Sequence, residues 1–291
     1  MPVTDTPLRY PGGKSQLIPF VLELMKGNGL YYGEYAEPFA GGAGIAMKLL
    51  LNNFVSKIYL NDFDPSIYAL WHSILYKTDE LCKKIESTEV CIGEWHKQRK
   101  IYLKDSFSDP LSKGYATLFL NRTNRSGIIK AGVIGGLGQQ GNYKLDCRFS
   151  KNDIVRKIRR IAEYREQIVL TCLDASVFIA EKIPKTSKNT LVNLDPPYFD
   201  KGKELYSNFY QPEDHADLAR AVKKIKRPWM VTYDDTREIR ALYRKFPMYS
   251  LSLNYSAQVK RVGCELLMLE PTLKAPFSIR QLHIQDSEFT E

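Results

Sequence analysis

Thr190-Leu-Val-Asn-Leu194 runs directly into Asp195-Pro-Pro-Tyr198, and this stretch decides how the chain is read. The first five residues form an apolar run of strand length, as expected for a strand buried on both faces of a parallel sheet. Two successive prolines cannot continue a hydrogen-bonded ladder, so the strand must stop and the chain must turn at its carboxyl end. In open α/β sheets that edge is where ligands bind. A carboxylate, a stiff backbone corner and an aromatic ring are therefore presented together at the expected crevice. An ordinary strand-ending turn would use the same residue types, so the neighbouring stretches must decide.

Upstream, Tyr35-Ala-Glu-Pro-Phe39 reads as the first strand, followed by Ala40-Gly-Gly-Ala-Gly44 and a helix from Ile45 to Leu51. A glycine turn between strand and helix lets the backbone approach a phosphate or nucleoside closely. The third glycine of G-x-G-x-x-G is missing, which favours a nucleoside whose tail is not a pyrophosphate. Lys57-Ile-Tyr-Leu-Asn61 reads as the second strand, ended by Asp62-Phe-Asp-Pro65, with a helix from about Ser66 to Leu75. Asp62 follows Gly42 by twenty residues and stands where an acidic side chain accepts hydrogen bonds from ribose hydroxyls. Asp64 is the alternate for that role, although Asp-Pro also begins helices as cap and first residue. Asp174, at the end of the third strand, is placed to contact the cofactor's base, to stand near the catalytic turn, or to cap a helix.

Further strands are expected near 168–172, 228–233, 248–254 and 265–269, which with 190–194 and the first two makes seven. At the start, Pro7-Leu-Arg-Tyr-Pro-Gly-Gly-Lys-Ser15 is a loop leading into an amphipathic helix that ends at Gly27-Asn-Gly29. Residues 78–165 break the alternation: they read as mostly helical and basic. Within them, residues 96–165 hold sixteen Lys/Arg against five Asp/Glu, a net of +11 in a chain of +9, leaving the remainder near −2. One segment thus carries the whole basic excess, the pattern of a nucleic-acid footprint; the bland alternative is a solvated, charge-rich helical face. The Gly132–Gly141 stretch inside it is expected to form a hairpin or a mobile loop. The expected organisation is an α/β core of residues 1–76 and 166–275, an inserted domain at 77–165, and a polar tail at 276–291.

A chain of 291 residues, 44% hydrophobic, can bury a substantial core in one large domain or two smaller ones. Cysteines 82, 91, 147, 172 and 264 have no CxxC spacing and read as reduced, mostly buried thiols of a cytosolic protein. Histidines 72, 96, 215 and 283 are scattered singly, as packing or surface residues rather than zinc ligands. No run approaches the length of a membrane span, and the first residues lack a signal-peptide pattern, so a cytoplasmic protein is expected.

Tyr35-Ala-Glu-Pro-Phe-Ala-Gly-Gly-Ala-Gly44, Asn61-Asp62 and Asp195-Pro-Pro-Tyr198, in that order, resemble the S-adenosylmethionine-dependent amino-methyltransferases of nucleic acids. Leu8-Arg-Tyr-Pro-Gly-Gly-Lys14 narrows the resemblance to the D12-class, Dam-like DNA adenine-N6 methyltransferases, over about residues 6–270. The resemblance implies a seven-stranded Rossmann-like class I methyltransferase core with an inserted, mainly helical DNA target-recognition domain. It implies S-adenosylmethionine as cofactor, with no metal because the sulfonium itself carries the activated methyl group. Double-stranded DNA would be the partner, with no membrane and no obligate protein partner, in a cytoplasmic enzyme of bacterial or phage type.

The family positions carry over to Asp195, Pro196, Pro197 and Tyr198 as the catalytic turn. Tyr10, Lys14, Phe39, Gly42, Gly44, Asp62, Asp174 and Asp195 would line the cofactor. The exocyclic amine of adenine is a poor nucleophile because its lone pair is delocalised into the ring. The Asp195 carboxylate and the Pro196 carbonyl can accept both of its N–H groups and favour the pyramidal nitrogen that attacks in line. Tyr198 can stack on a base flipped out of the duplex. Asn121-Arg-Thr-Asn-Arg-Ser-Gly-Ile-Ile-Lys130 resembles the family's target-reading stretch, Asn-Arg-x-x-Tyr-Asn-Gly with a later Arg. Here Arg125-Ser126 replace Tyr-Asn, and Lys130 stands in for the Arg. Arg9, Arg122, Asn124, Arg125, Ser126 and Lys130 are accordingly expected at the DNA, with Arg125 and Lys130 suited to guanine. Arg156 and Lys157, on a helix face, suit phosphates. The competing readings are the same chemistry on cytosine N4, RNA adenine or a glutamine amide, and a catalytically silent DNA-binding protein. Asp195, and the intact turn together with Asp62, favour adenine methylation over these.

Overall fold

The computed structural model describes residues 4–9, 14–104, 109–200, 210–255 and 261–276. Their strands are β1 (Glu34–Glu37), β2 (Lys57–Asn61), β3 (Ile168–Thr171), β4 (Thr190–Leu194), β5 (Trp229–Asp234), β6 (Met248–Tyr255) and β7 (Arg261–Leu269). They form one sheet in the order β3-β2-β1-β4-β5-β7-β6. The first five run parallel, and β7 enters antiparallel between β5 and β6. This is the expected seven-stranded Rossmann-like core. Every residue of β4 is buried, because β1 and β5 flank it and both of its faces are covered. That is why its sequence is a continuous apolar run instead of an alternation.

Helices cover both faces. Helices α1 (Ile18–Gly27), α2 (Gly44–Leu50), α3 (Pro65–Tyr76), α4 (Thr78–Ser87), α5 (Ile92–Leu103), α6 (Pro110–Thr123) and α7 (Lys151–Ala162) lie in the first half of the chain. The second half adds α8 (Ala175–Glu181), α9 (Pro212–Val222) and α10 (Arg237–Tyr243). Leu24, Met47, Ile58, Trp71, Leu81, Tyr115, Phe119, Ile158 and Leu191 belong to one apolar cluster. Phe178, Val192, Leu194, Leu218, Trp229, Tyr233 and Ile239 belong to the other. The sheet's two-residue side-chain period separates them: neighbouring Leu191 and Val192 point to opposite layers. Helices α4 to α7, between β2 and β3, share the first cluster with the sheet. Each fully buried Leu or Phe in these layers contributes about 1.5–3 kcal/mol relative to exposure.

The sheet order places the site. From β1 the chain moves outward to β2, whereas from β4 it moves the other way to β5, so a crevice opens between the carboxyl ends of β1 and β4. The glycine turn after β1 and Asp195 after β4 are thereby neighbours.

Some expectations need adjusting. Strand β1 stops at Glu37, because Pro38 has no N–H to give a ladder. Strand β7 begins four residues earlier than expected, since antiparallel pairing with β6 lengthens both. The Gly132–Gly141 stretch holds a single bridge, Asn124 to Val133, and turns with Gly135 and Gly136 at positive φ, instead of a two-stranded hairpin. Gln139 ties it together, its amide donating to the Ile134 carbonyl at 2.7 Å and its oxygen accepting from the Leu145 N–H at 2.9 Å. Of the thiols Cys82, Cys91, Cys147 and Cys172, only Cys82 is buried, because the others fall on turns or element ends where no layer covers them. Residues 277–291 of the expected tail lie outside the described residues. No helix among the described residues is long and apolar enough to cross a membrane, and none of their acidic, His or Cys side chains group as a metal site.

Candidate functional site

The turn after β1 is tight and left-handed, with Gly41 and Ala43 both at φ 45°. Asp62 closes it from the adjacent strand: one carboxylate oxygen accepts the Gly41 N–H at 2.8 Å, the other the Asp64 N–H at 2.9 Å. Burial, with Asp64's charge beside it, pushes the Asp62 carboxyl up to about 7 against the pull of those two bonds. A Cβ on Gly44 would stand 2.9 Å from the Ser15 hydroxyl, so the turn packs onto the N-terminal segment only as glycine. The Trp71 indole donates to the Gly41 carbonyl at 3.0 Å. Asn61, fully buried, joins three turns by donating to Pro38 and Leu173 carbonyls and accepting from the Leu173 N–H and the Thr171 hydroxyl.

Asp64 caps α3 through the Ser66 N–H at 2.8 Å, and Asp174 caps α8 through the N–H groups of Ser176 and Val177. Asp62 is therefore the acid aimed along the turn. Phe39 packs edge-on against Tyr210, ring centres 6.0 Å apart.

At the end of β4, Asp195 keeps part of its side chain open while Pro196, Pro197 and Tyr198 are buried. Its Oδ1 accepts the Thr232 hydroxyl at 2.9 Å and lies 3.1 Å from Lys14 Nζ. Asp234, at the end of β5, accepts the N–H groups of Phe199 and Asp200 at 2.9 Å each, which fixes the chain just after the turn. Lys14 reaches further. It donates to the Tyr198 hydroxyl, sits 4.8 Å from that ring's centre, and lies 3.0 and 3.2 Å from the two oxygens of Glu265 on β7. The Tyr198 hydroxyl in turn donates to Glu265. Glu265 is only 2% exposed, and burial raises its carboxyl while Lys14 holds it down.

Beneath this cluster, Glu37 is buried at the end of β1 and accepts the Tyr35 hydroxyl at 3.0 Å. Burial, with a smaller push from the charge of Asp195, brings it up to about 8.

The expected DNA side divides into two kinds of residue. Asn121 is fully buried and clamps Arg9 through two bonds of 2.9 Å, one to its N–H and one to its carbonyl, and donates also to the Gly127 carbonyl at 2.8 Å. Gly127 sits at φ +76°, and a Cβ there would lie 2.0 Å from the Arg9 carbonyl oxygen. Arg122 donates to the Pro7 carbonyl at 3.4 Å; burial and the nearby Arg9 bring it down to about 10. Burial and Arg148 likewise lower Arg9. Asn124 faces inward, accepting the Trp95 indole N–H at 2.6 Å and donating to the Ile129 carbonyl at 2.8 Å. Arg125 and Lys130 are exposed, and Ser126 holds a left-handed φ of 56° between them. On α7, Arg156 and Lys157 both pair with Asp153, at 2.5 and 2.9 Å, and Lys157 is mostly buried. His215 donates or accepts at the Tyr233 hydroxyl in an aromatic cluster, and His72 stacks near Tyr68 and Tyr76.

The structure brings Lys14, Asp195 and Tyr198 into one network, with the Gly42–Gly44 turn and Asp62 across the crevice. Tyr10 lies outside the described residues. Residue patterns gave no role to Glu265, Asp234, Glu37 or the Asn121 clamp. A signal existed for Glu265: it is the lone charge in Cys264-Glu-Leu-Leu-Met-Leu269, and a charge inside a buried strand must be paired.

A family model described as D12 class N6 adenine-specific DNA methyltransferase matches residues 10–257. No curated protein matches the chain. Among solved structures, the SAM dependent methyltransferase from Agrobacterium tumefaciens is similar at 12% identity and a TM-score of 0.37, over 89% of this chain and 63% of that one. The rRNA methyltransferase aviRa from Streptomyces viridochromogenes is similar at 13% identity and a TM-score of 0.36, over 89% of this chain and 85% of that one. This chain thus spans under two thirds of the Agrobacterium protein's length.

Proposed function

The chain belongs to the D12 class N6 adenine-specific DNA methyltransferase family, and on that premise we propose that it transfers a methyl group from S-adenosylmethionine to N6 of adenine at specific sites in duplex DNA. One observation carries this reading. Asp195, oriented by Thr232 and Lys14, stands at the switch point of the sheet beside a glycine turn closed by Asp62.

The residues present fit the cofactor. The Asp62 oxygens, each taking one N–H of the turn, keep lone pairs for ribose hydroxyls, and the turn is left-handed at Gly41 and Ala43. When bound, S-adenosylmethionine would supply an activated methyl group, and the glycine turn and Asp62 would hold it. The protein's part is positioning. Asp195 and the Pro196 carbonyl accept the two N–H groups of the adenine amine, and so favour the pyramidal nitrogen. Asp234 keeps the turn from moving by anchoring the two residues after it. Tyr198 offers its ring face to the base, which has to leave the duplex to reach this crevice.

Residues 77–165 would serve as the target-recognition region. Arg9, held by Asn121 and Gly127, and the exposed Arg125 and Lys130 are the groups suited to base edges. Ser126, Arg122 and Arg156 would contact the backbone, whereas Asn124 and Lys157 support the turn and the helix from within.

The test incubates the protein with labelled S-adenosylmethionine and unmethylated DNA of varied sequence, then digests the DNA to nucleosides. N6-methyl-2′-deoxyadenosine should appear with the wild-type protein. Asp195→Ala should lower the rate by roughly 10³-fold while changing DNA affinity less than about threefold. Product absent from every substrate refutes the function, and loss of DNA binding in Asp195→Ala refutes the placement of the catalytic turn.

A further inference from the structure

Among the neighbours of Lys14 Nζ are Asp195 Oδ1 at 3.1 Å, the two Glu265 oxygens at 3.0 and 3.2 Å, and the Tyr198 hydroxyl. A lysine paired with Asp195 alone would draw its proton-accepting oxygen away from the substrate amine. The arrangement weakens that pull because Glu265 contributes a second carboxylate, 2% exposed, on β7, which β5 separates from β4. Glu265 also accepts the Tyr198 hydroxyl proton, so one buried group holds both the lysine and the ring. A buried carboxylate costs several kcal/mol to desolvate and is retained only where it is paired and hydrogen-bonded, as this one is.

We propose that Glu265 is a positioning residue for methyl transfer: it shares Lys14 with Asp195 and fixes the Tyr198 hydroxyl, which limits the hold of Lys14 on Asp195 Oδ1 and keeps the carboxylate able to accept the adenine amine. Glu265 does not touch the substrate. It acts through Lys14 and Tyr198, and its partners lie 251 and 67 residues away in the chain. The inference rests on the methyltransferase reading above.

The experiment measures kcat, KM for S-adenosylmethionine, KM for DNA and melting temperature for wild type, Glu265→Gln and Glu265→Asp. Glutamine keeps an acceptor for Tyr198 but loses the charge. Its kcat should fall at least about tenfold, with both KM values within about threefold and melting within about 4 °C of wild type. Aspartate keeps the charge, so Glu265→Asp should retain more activity than Glu265→Gln. Equal kcat in Glu265→Gln and wild type overturns the inference. So does a rise in KM that matches the fall in kcat, and so does equal impairment in both variants, because charge is then not what matters. Failure of both variants to fold also overturns it, since Glu265 would then serve only the core. An inactive wild-type protein refutes the methyltransferase reading and takes this inference with it, whereas an active wild type with an unimpaired Glu265→Gln overturns the inference alone.

Discussion

Glu37→Gln isolates the free-energy effect of keeping a carboxyl group buried beneath the catalytic turn. Glu37 ordinarily titrates at 4.5, and in the fold burial raises it to about 8. An acid raised in this way favours folding fully only below its unfolded value. Between the two values the unfolded chain has released a proton that the native protein still holds, so stability falls as pH rises and levels off once the folded group ionises. At about 1.4 kcal/mol per pH unit, Glu37 alone removes about 3 kcal/mol between about pH 5.5 and about pH 7.5. Asp62, raised to about 7, acts with the same sign, but it is present in both proteins and cancels from their difference. Urea unfolding followed through the buried Trp71, Trp95 and Trp229 measures both proteins at both pH values. The stability of Glu37→Gln relative to wild type should rise by about 3 kcal/mol over that interval. A gap that stays constant within about 0.5 kcal/mol would mean that Glu37 is ionised in the fold at neutral pH, and the assignment of its neutral state would be wrong.

The other expectations concern the DNA side. Gly127→Ala places a Cβ against the Arg9 carbonyl in a left-handed backbone; it should cost about 2 kcal/mol in urea unfolding and weaken binding to the preferred site. Unchanged site affinity would show that the Asn121–Gly127 clamp on Arg9 serves the fold alone. Arg125→Ala should change which adenines are methylated, read by sequencing methylated positions, whereas Arg156→Glu should weaken binding to all sequences alike and flatten its salt dependence. The reverse pattern would exchange the roles of these two arginines.

The turns after β1 and β4 were legible in the sequence because local rules write them. A fully apolar five-residue strand ended by two prolines, and a glycine turn ended at a helix, need no knowledge of distant residues. The placement of β7 between β5 and β6 was not legible: its direction follows from how the last hairpin docks, which side-chain periodicity does not encode. Nor was the network around Lys14, since the charge on Glu265 acquires its meaning only when strands far apart in the chain become neighbours. The 121–130 stretch shows the limit most clearly. Asn121, Asn124, Arg125 and Lys130 look alike as polar loop residues, yet the first two are buried and hydrogen-bonded at both ends, while the last two are exposed.

That division bears on the charge argument itself. The basic excess of residues 96–165 suggested a footprint of many phosphate contacts, but part of it is engaged within the protein. On α7, Arg156 and Lys157 share Asp153, Arg159 pairs with Asp79 at 2.9 Å, and Arg160 pairs with Asp5 at 3.2 Å and donates to the Leu51 carbonyl. Arg160 thereby ties α7 to the core helix α2 and to the segment that leads into Arg9. Exposed pairs of this kind are weak because solvent screens them, so an anion can still recruit Arg156 or Arg159 at little cost. Of these cations only Arg160 joins α7 to the core; Arg156 and Lys157 pair within α7, and Arg159 pairs with α4. A charge count therefore overstates the number of cations open to an anionic partner, because several already face carboxylates of the protein.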